Sequence, residues 1–100
     1  MLYMILGHDV PNSLPMRKES RPAHVERLKL LQAQGRLILA GPRPAIDAAD
    51  PGAAGFVGSL VVAEFADLAS ARAWADEDPY VKAGVYSHID VQPFIKTMPS

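Results

Sequence analysis

The stretch Phe56-Val57-Gly58-Ser59-Leu60-Val61-Val62-Ala63-Glu64-Phe65 decides the fold. Leu60 to Ala63 is apolar at every position, so a strand here buries both faces and belongs inside a sheet rather than at its edge. Leu2-Tyr3-Met4-Ile5-Leu6, stopped by Gly7, has the same character and reads as a second buried strand. Val85 to Phe94 instead alternates, with Val85, Ser87, Ile89 and Val91 on one side and Tyr86, His88, Asp90 and Gln92 on the other. Such a strand belongs at an edge. Arg36 to Ala40, stopped by Gly41-Pro42, supplies the fourth.

Two helices fall between these strands. Ser20 as N-cap, Pro22 just inside the start and a periodic run from Ala23 to Gln34 closed by Gly35 predict the first. Asp67 caps the second, whose apolar stripe is Leu68, Ala71, Trp74 and Ala75. Asp78-Pro79 ends or restarts it, and Tyr80 to Ala83 adds a turn closed by Gly84. His8 to Glu19, broken by Pro11 and Pro15, reads as a polar loop long enough to be a lid. Pro44 to Gly55 has no periodicity and reads as an exposed excursion.

The order β-α-β-β-α-β predicts an α+β, ferredoxin-like fold with one antiparallel sheet, its first and third strands central. Helices cover only one face of such a sheet. The apolar residues left on the other predict a homodimer, two sheets closing as a dimeric α/β barrel.

A chain of 100 residues makes one small domain, 1–100. Ten basic residues balance eleven acidic ones, and no basic run is present, so neither nucleic acid nor an anionic membrane is the expected partner. A small molecule fits better. The absence of cysteine excludes disulfides, zinc knuckles and thiol nucleophiles. The apolar run Met1 to Leu6 is too short for a signal peptide or a membrane span, which points to the cytoplasm. Phosphate loops, dinucleotide fingerprints and nucleophile elbows are missing, so no cofactor is expected. No metal is expected either, because His8, Asp9 and His24 match no compact ligand spacing and His88 lies on the outward side of an edge strand.

His24 is the residue most suggestive of chemistry. It shares the stripe of Leu28 and Leu31 in what reads as the first turn of the first helix. An imidazole, with an ordinary pKa near ~6.5, exchanges a proton at neutral pH without large tuning. The competing reading is a buried ring that fills space and bonds to backbone. Asp9, at the end of the first strand, is the nearest carboxylate to orient it, or else it starts an Asx turn. Arg21 suits a two-pronged hold on a substrate carboxylate. Ser59 interrupts an apolar row with Val57 and Val61. Asp78 is an N-cap by its place before Pro79. It reaches His24 only along a cleft or from a partner, because the second helix ends at the opposite pole of the sheet. Tyr80 offers a hydroxyl to that cleft or packs on Trp74.

Several segments together carry a family resemblance: Arg21-Pro22-Ala23-His24, Gly35-Arg36-Leu37, Ala40-Gly41-Pro42, Gly55-Phe56-Val57-Gly58-Ser59, Trp74-Ala75-Asp76, Asp78-Pro79-Tyr80, Ala83-Gly84-Val85-Tyr86 and Pro93-Phe94. Over nearly its whole length the chain resembles the YciI-like (YCII-related) proteins. The resemblance implies the dimeric ferredoxin-like barrel, related to that of muconolactone isomerase, and a recurring histidine and aspartate. Here these fall on His24 and on either Asp9 or Asp78. His8 before Asp9 departs from the small or uncharged pair the family leads one to expect. Two functions follow as expectations. One is a His-Asp proton-transfer enzyme, isomerase- or lyase-like, acting on a small cyclic or carboxylated metabolite. The other is a non-catalytic module that binds a metabolite or a protein.

Overall fold

The computed structural model describes all 100 residues. Strand β1 (Leu2–Asp9) leads into helix α1 (Leu14–Ala33), then β2 (Leu37–Pro44), β3 (Phe56–Glu64), α2 (Leu68–Asp76), the short α3 (Pro79–Lys82) and β4 (Tyr86–Phe94). A 3-10 turn at Gly52–Ala54 precedes β3. The four strands form one sheet in the order β2-β3-β1-β4, with every pairing antiparallel. The two strands that are apolar throughout are central, and the alternating one is at an edge, as the sequence predicts.

Register assigns the faces. Tyr3, Ile5 and Gly7 of β1 stand beside Ala63, Val61 and Ser59 of β3 and, with Ile89 of β4, turn toward the helices. Tyr3, Ile5, Val61, Ala63 and Ile89 form the core there with Leu31 of α1 and Ala71 and Ala75 of α2. Two alanines at that spacing leave α2 only a small side-chain layer over the sheet. Leu68, expected on the same stripe, is exposed in the first turn. The opposite face carries Leu2, Met4 and Leu6 against Val62, Leu60 and Leu39, with no layer over it in the single chain.

Helix α1 departs most from expectation. It begins at Leu14, not near Ser20, and absorbs most of the segment read as a lid; the true loop is Val10 to Ser13. Pro15 is the proline of the first turn, while Pro22 sits inside the helix. An interior proline removes the bond to the carbonyl four residues back, here Lys18, and ordinarily breaks a helix. Both Lys18 and Pro22 lie on the exposed side, where the freed carbonyl faces solvent, and the helix continues. With the start at Leu14 the inward stripe reads Arg17, His24 and Leu31, flanked by the half-buried Leu14 and Leu28. His24 is thus in the third turn, away from the helix N-terminus.

Two smaller corrections concern the edges. Strand β2 runs past Gly41-Pro42 to Pro44, opposite Phe56. Edge strands tolerate proline because one side of their backbone has no ladder to complete. In β4 the pairing with β1 slips between His8 and Asp9. That bulge puts Tyr86 on the helix side with Ile89, while His88 and Asp90 stay on the open side, so the strict alternation read from the sequence breaks at one point.

The Tyr86 ring lies directly over Gly7, and a Cβ built there would come 2.5 Å from its Cζ. Gly7→Ala is therefore expected to lower stability by about 1–3 kcal/mol, as overpacking does. Urea denaturation measures this; an unchanged midpoint would show that the ring has room to move.

Candidate active site

The middle of α1 faces α3, and this contact builds the site. Asp78 caps α3 by accepting the Tyr80 backbone N–H at 2.9 Å. The same carboxylate lies 2.9 and 3.0 Å from His24 Nδ1 through its two oxygens. Both side chains are buried, His24 7% and Asp78 4% exposed. A carboxylate in contact with Nδ1 holds the proton on that nitrogen and leaves the lone pair on Nε2. Nε2 has no hydrogen-bond partner in the protein. Asp78 thus does two jobs that the sequence presents as one.

The His24 ring stacks on Tyr80, with centroids 4.0 Å apart and planes 12° from parallel. Tyr80 in turn meets Tyr86 edge-on at 5.5 Å, not Trp74. Burial raises the pKa of the Tyr80 phenol, with Arg17 opposing and Asp78 adding to the rise. Burial also pushes the Tyr86 phenol well up, against a contact with Ser59 that favours the phenolate. Both phenols are neutral donors at neutral pH. Behind Asp78 stands Arg27, 3.8 Å from its Oδ2, with its guanidinium over Trp74. Burial lowers the pKa of that arginine, and the attraction of Asp78 works against the loss.

Asp9 is not the partner of His24. Its carboxylate accepts from Arg17 Nε at 2.6 Å, from Arg17 Nη2 at 3.0 Å and from the Ser13 hydroxyl at 2.6 Å. Ser13 occupies the N-cap position of α1, yet its side chain makes no cap bond because it is turned to Asp9. Arg17 also donates to the Gly58 carbonyl and to Ser59 Oγ, both at 2.8 Å. Burial acts to lower the Arg17 pKa, but the bond and charge of Asp9 outweigh it and the guanidinium stays firmly charged.

Ser59 is therefore buried and already engaged, while Arg21 is exposed and carries its charge without a protein partner. Arg17 and its bridge to Asp9 escaped the sequence reading. Ser13 followed by Pro15, the start signature of the helix, would have exposed Arg17 as the stripe residue one heptad before His24. His8, the departure from the family pattern before Asp9, lies on the open face of the sheet beside His88.

A hollow of ≈ 170 Å³ opens beside the dyad, lined by His24, Arg17, Arg21, Ser59, Tyr80 and Leu28 among others. It shares Arg17, Arg21, Pro42 and Tyr80 with an outer cleft of ≈ 360 Å³ that adds Lys18 and Phe56. Asp50, Pro51 and Gly52 of the excursion after β2 wall that cleft, so this segment, not the one before α1, borders the entrance. The site pairs a fixed imidazole with a cationic approach.

Known proteins match this chain closely. The model of the YCII-related domain matches residues 1–95. Protein YciI of Escherichia coli is 59% identical over 96 residues, covering 96% of this chain and 98% of that protein. An uncharacterized protein of Haemophilus influenzae is 52% identical over the same share of both. Among solved structures, the 5-chloro-2-hydroxyhydroquinone dehydrochlorinase TftG of Burkholderia phenoliruptrix, in complex with 2,5-dihydroxybenzoquinone, superposes with a TM-score of 0.83 at 25% identity, over 95% of this chain and 94% of that one. No helix here is long and apolar enough to cross a membrane. The chain belongs to the YCII-related family.

Proposed function

We propose that the hollow beside His24 is an active site for general acid–base proton transfer on a small anionic ring compound, with an elimination or isomerisation as the outcome. The observation that carries this reading is the single arrangement of His24: Nδ1 tied to Asp78, Nε2 unpartnered, and the residue lining a cavity edged by Arg17 and Arg21. In this scheme Nε2 takes a proton from an acidic C–H or O–H of the substrate. The released electron pair enters the ring and either expels a leaving group as an anion or is reprotonated at another carbon by the same imidazole. Asp78 stabilises the imidazolium that forms between these steps. Arg21 and Lys18, free of partners at the mouth, attract the substrate anion, while Tyr80 offers a flat surface and Ser59 a hydroxyl inside. The likeness to a dehydrochlorinase that holds a dihydroxybenzoquinone supports the ring chemistry and the proton-driven elimination.

The test is a panel of hydroxylated and halogenated hydroquinones and cyclic enol carboxylates, incubated with the protein in deuterated buffer. Halide release, or exchange of a ring proton for deuterium well above the spontaneous rate, is the expected result. Ligands that bind without either reaction would instead mark a binding module.

The bare sheet face supports a homodimer, because Leu39 and Phe94 on it are 48% and 40% exposed, Phe94 beside Leu2 and Leu39 beside Val62. Light scattering is expected to give twice the chain mass, falling to one chain mass for Leu6→Glu. A wild-type monomer would remove the barrel from the proposal.

A further inference from the structure

The open face holds a second polar cluster that the proton-transfer scheme leaves unused. His8 of β1 stands directly opposite His88 of β4, and Asp90 follows two residues along the same face. Side chains at i and i+2 share a strand face, and cross-strand partners lie within contact distance, so the register alone brings these three together. The two imidazoles stack with centroids 4.2 Å apart. His8 Nε2 is 2.8 Å from Asp90 Oδ2. One ligand-type atom from each of the three residues lies within 4.8 Å of the other two.

We propose that His8, His88 and Asp90 bind a divalent transition metal of the zinc type, on the sheet face opposite the His24 hollow. Geometry comes first. A point exists within about 2.8 Å of all three atoms at that spacing. Zinc needs about 2.0–2.1 Å to imidazole nitrogen and 2.0–2.2 Å to carboxylate oxygen, so small side-chain rotations close the site. Two neutral imidazoles and one carboxylate make a borderline-soft donor set that suits zinc, and a fourth position stays open to water.

The hydrogen bonding around His88 supports the assignment independently. The Ser87 hydroxyl donates to the His8 carbonyl at 3.2 Å, so toward His88 Nδ1, 2.9 Å away, it acts as acceptor. That places the His88 proton on Nδ1 and the lone pair on Nε2. Metal-bound histidines characteristically have their second nitrogen held in this way. His8 is the one residue that must change partners. Its ring proton, now on Nε2 and directed at Asp90, moves by way of solvent to Nδ1 when the metal takes its place on Nε2. Arg43 then keeps its 2.9 Å bond to the Gly7 carbonyl and gives up its long 3.4 Å contact with His8 Nδ1.

The experiment is calorimetric titration of zinc chloride into the protein after removal of bound metals with a chelator. One ion per chain is expected for the wild type and for His24→Asn. No saturable binding is expected for His8→Gln or His88→Gln, and Ser87→Ala is expected to bind about tenfold more weakly. NMR of the ring nitrogens in the wild type gives a readout that needs no variant: zinc should move the His8 and His88 signals and leave His24 in place. Failure of the wild type to bind zinc, equal binding by His8→Gln, or loss of binding in His24→Asn alone would each overturn the site. The last outcome would move the metal to the His24 hollow, whereas the first two have no bearing on whether His24 transfers protons.

Discussion

Replacing His24 by asparagine is expected to lower kcat/KM by about 10²–10⁴-fold on any substrate the panel identifies, the usual share of a positioned acid–base group. That loss corresponds to about 3–5 kcal/mol of transition-state stabilisation. Asparagine keeps a polar side chain within reach of Asp78 but has no basic nitrogen near neutral pH. The substrate is held by other groups, Arg21 and Lys18 at the mouth and Tyr80 within, so its dissociation constant should change by less than about threefold. The split between kcat and binding is the decisive reading, because a residue that merely packs against Tyr80 would alter both or neither. Side-by-side kinetics and calorimetry on the two proteins supply it. Equal turnover by the variant would remove His24 from the mechanism and leave the hollow as a binding site.

Arg17→Met is expected to have the largest effect on stability, a loss of about 3–5 kcal/mol. Methionine approximates the length of the side chain but abandons Asp9, whose side chain is 1% exposed, with only the Ser13 hydroxyl to satisfy it. Removing one member of a buried ion pair costs this much because the remaining charge has lost its water and its partner alike. The change also frees Ser59 Oγ and the Gly58 carbonyl, and withdraws the guanidinium from between Phe56 and Tyr80. A domain of this size loses roughly 4–8 °C of Tm for each kcal/mol, so the melting temperature should fall by more than about 12 °C. Arg17→Met combined with Asp9→Leu should lose less than the two single changes added together, because the double variant buries no unpaired charge. Additive losses would mean that Arg17 and Asp9 do not act as a unit.

These two residues also divide what was legible in the sequence from what was not. The topology was legible. Runs apolar at every position place β1 and β3 inside the sheet, and alternation places β4 outside, since strand periodicity depends only on which faces meet water. The caps at Asp67 and Asp78 were legible for a similar reason: a cap is satisfied by backbone a few residues away. The start of α1 was not. Two prolines compete for the first turn, and the choice between Pro15 and Pro22 depends on whether the outward side of the helix is free to leave a carbonyl to solvent. A start at Pro22 hides Arg17 and puts His24 in the first turn, whereas the start at Leu14 puts it in the third.

By itself, then, the order of apolar, alternating and capped segments determined a four-stranded antiparallel sheet layered by helices, and singled out His24 as the residue suggestive of chemistry, with Asp9 as its nearest carboxylate and Asp78 as a helix cap. Only the tertiary structure decided that Asp78 belongs to His24 and Asp9 to Arg17, and that His8 turns to the far face beside His88 and Asp90. The physical reason is range. Helix and strand patterns are set by neighbours a few positions apart, whereas these partners lie 54, 8 and 82 residues apart and meet through the packing of α1 on α3 and the registers of the sheet.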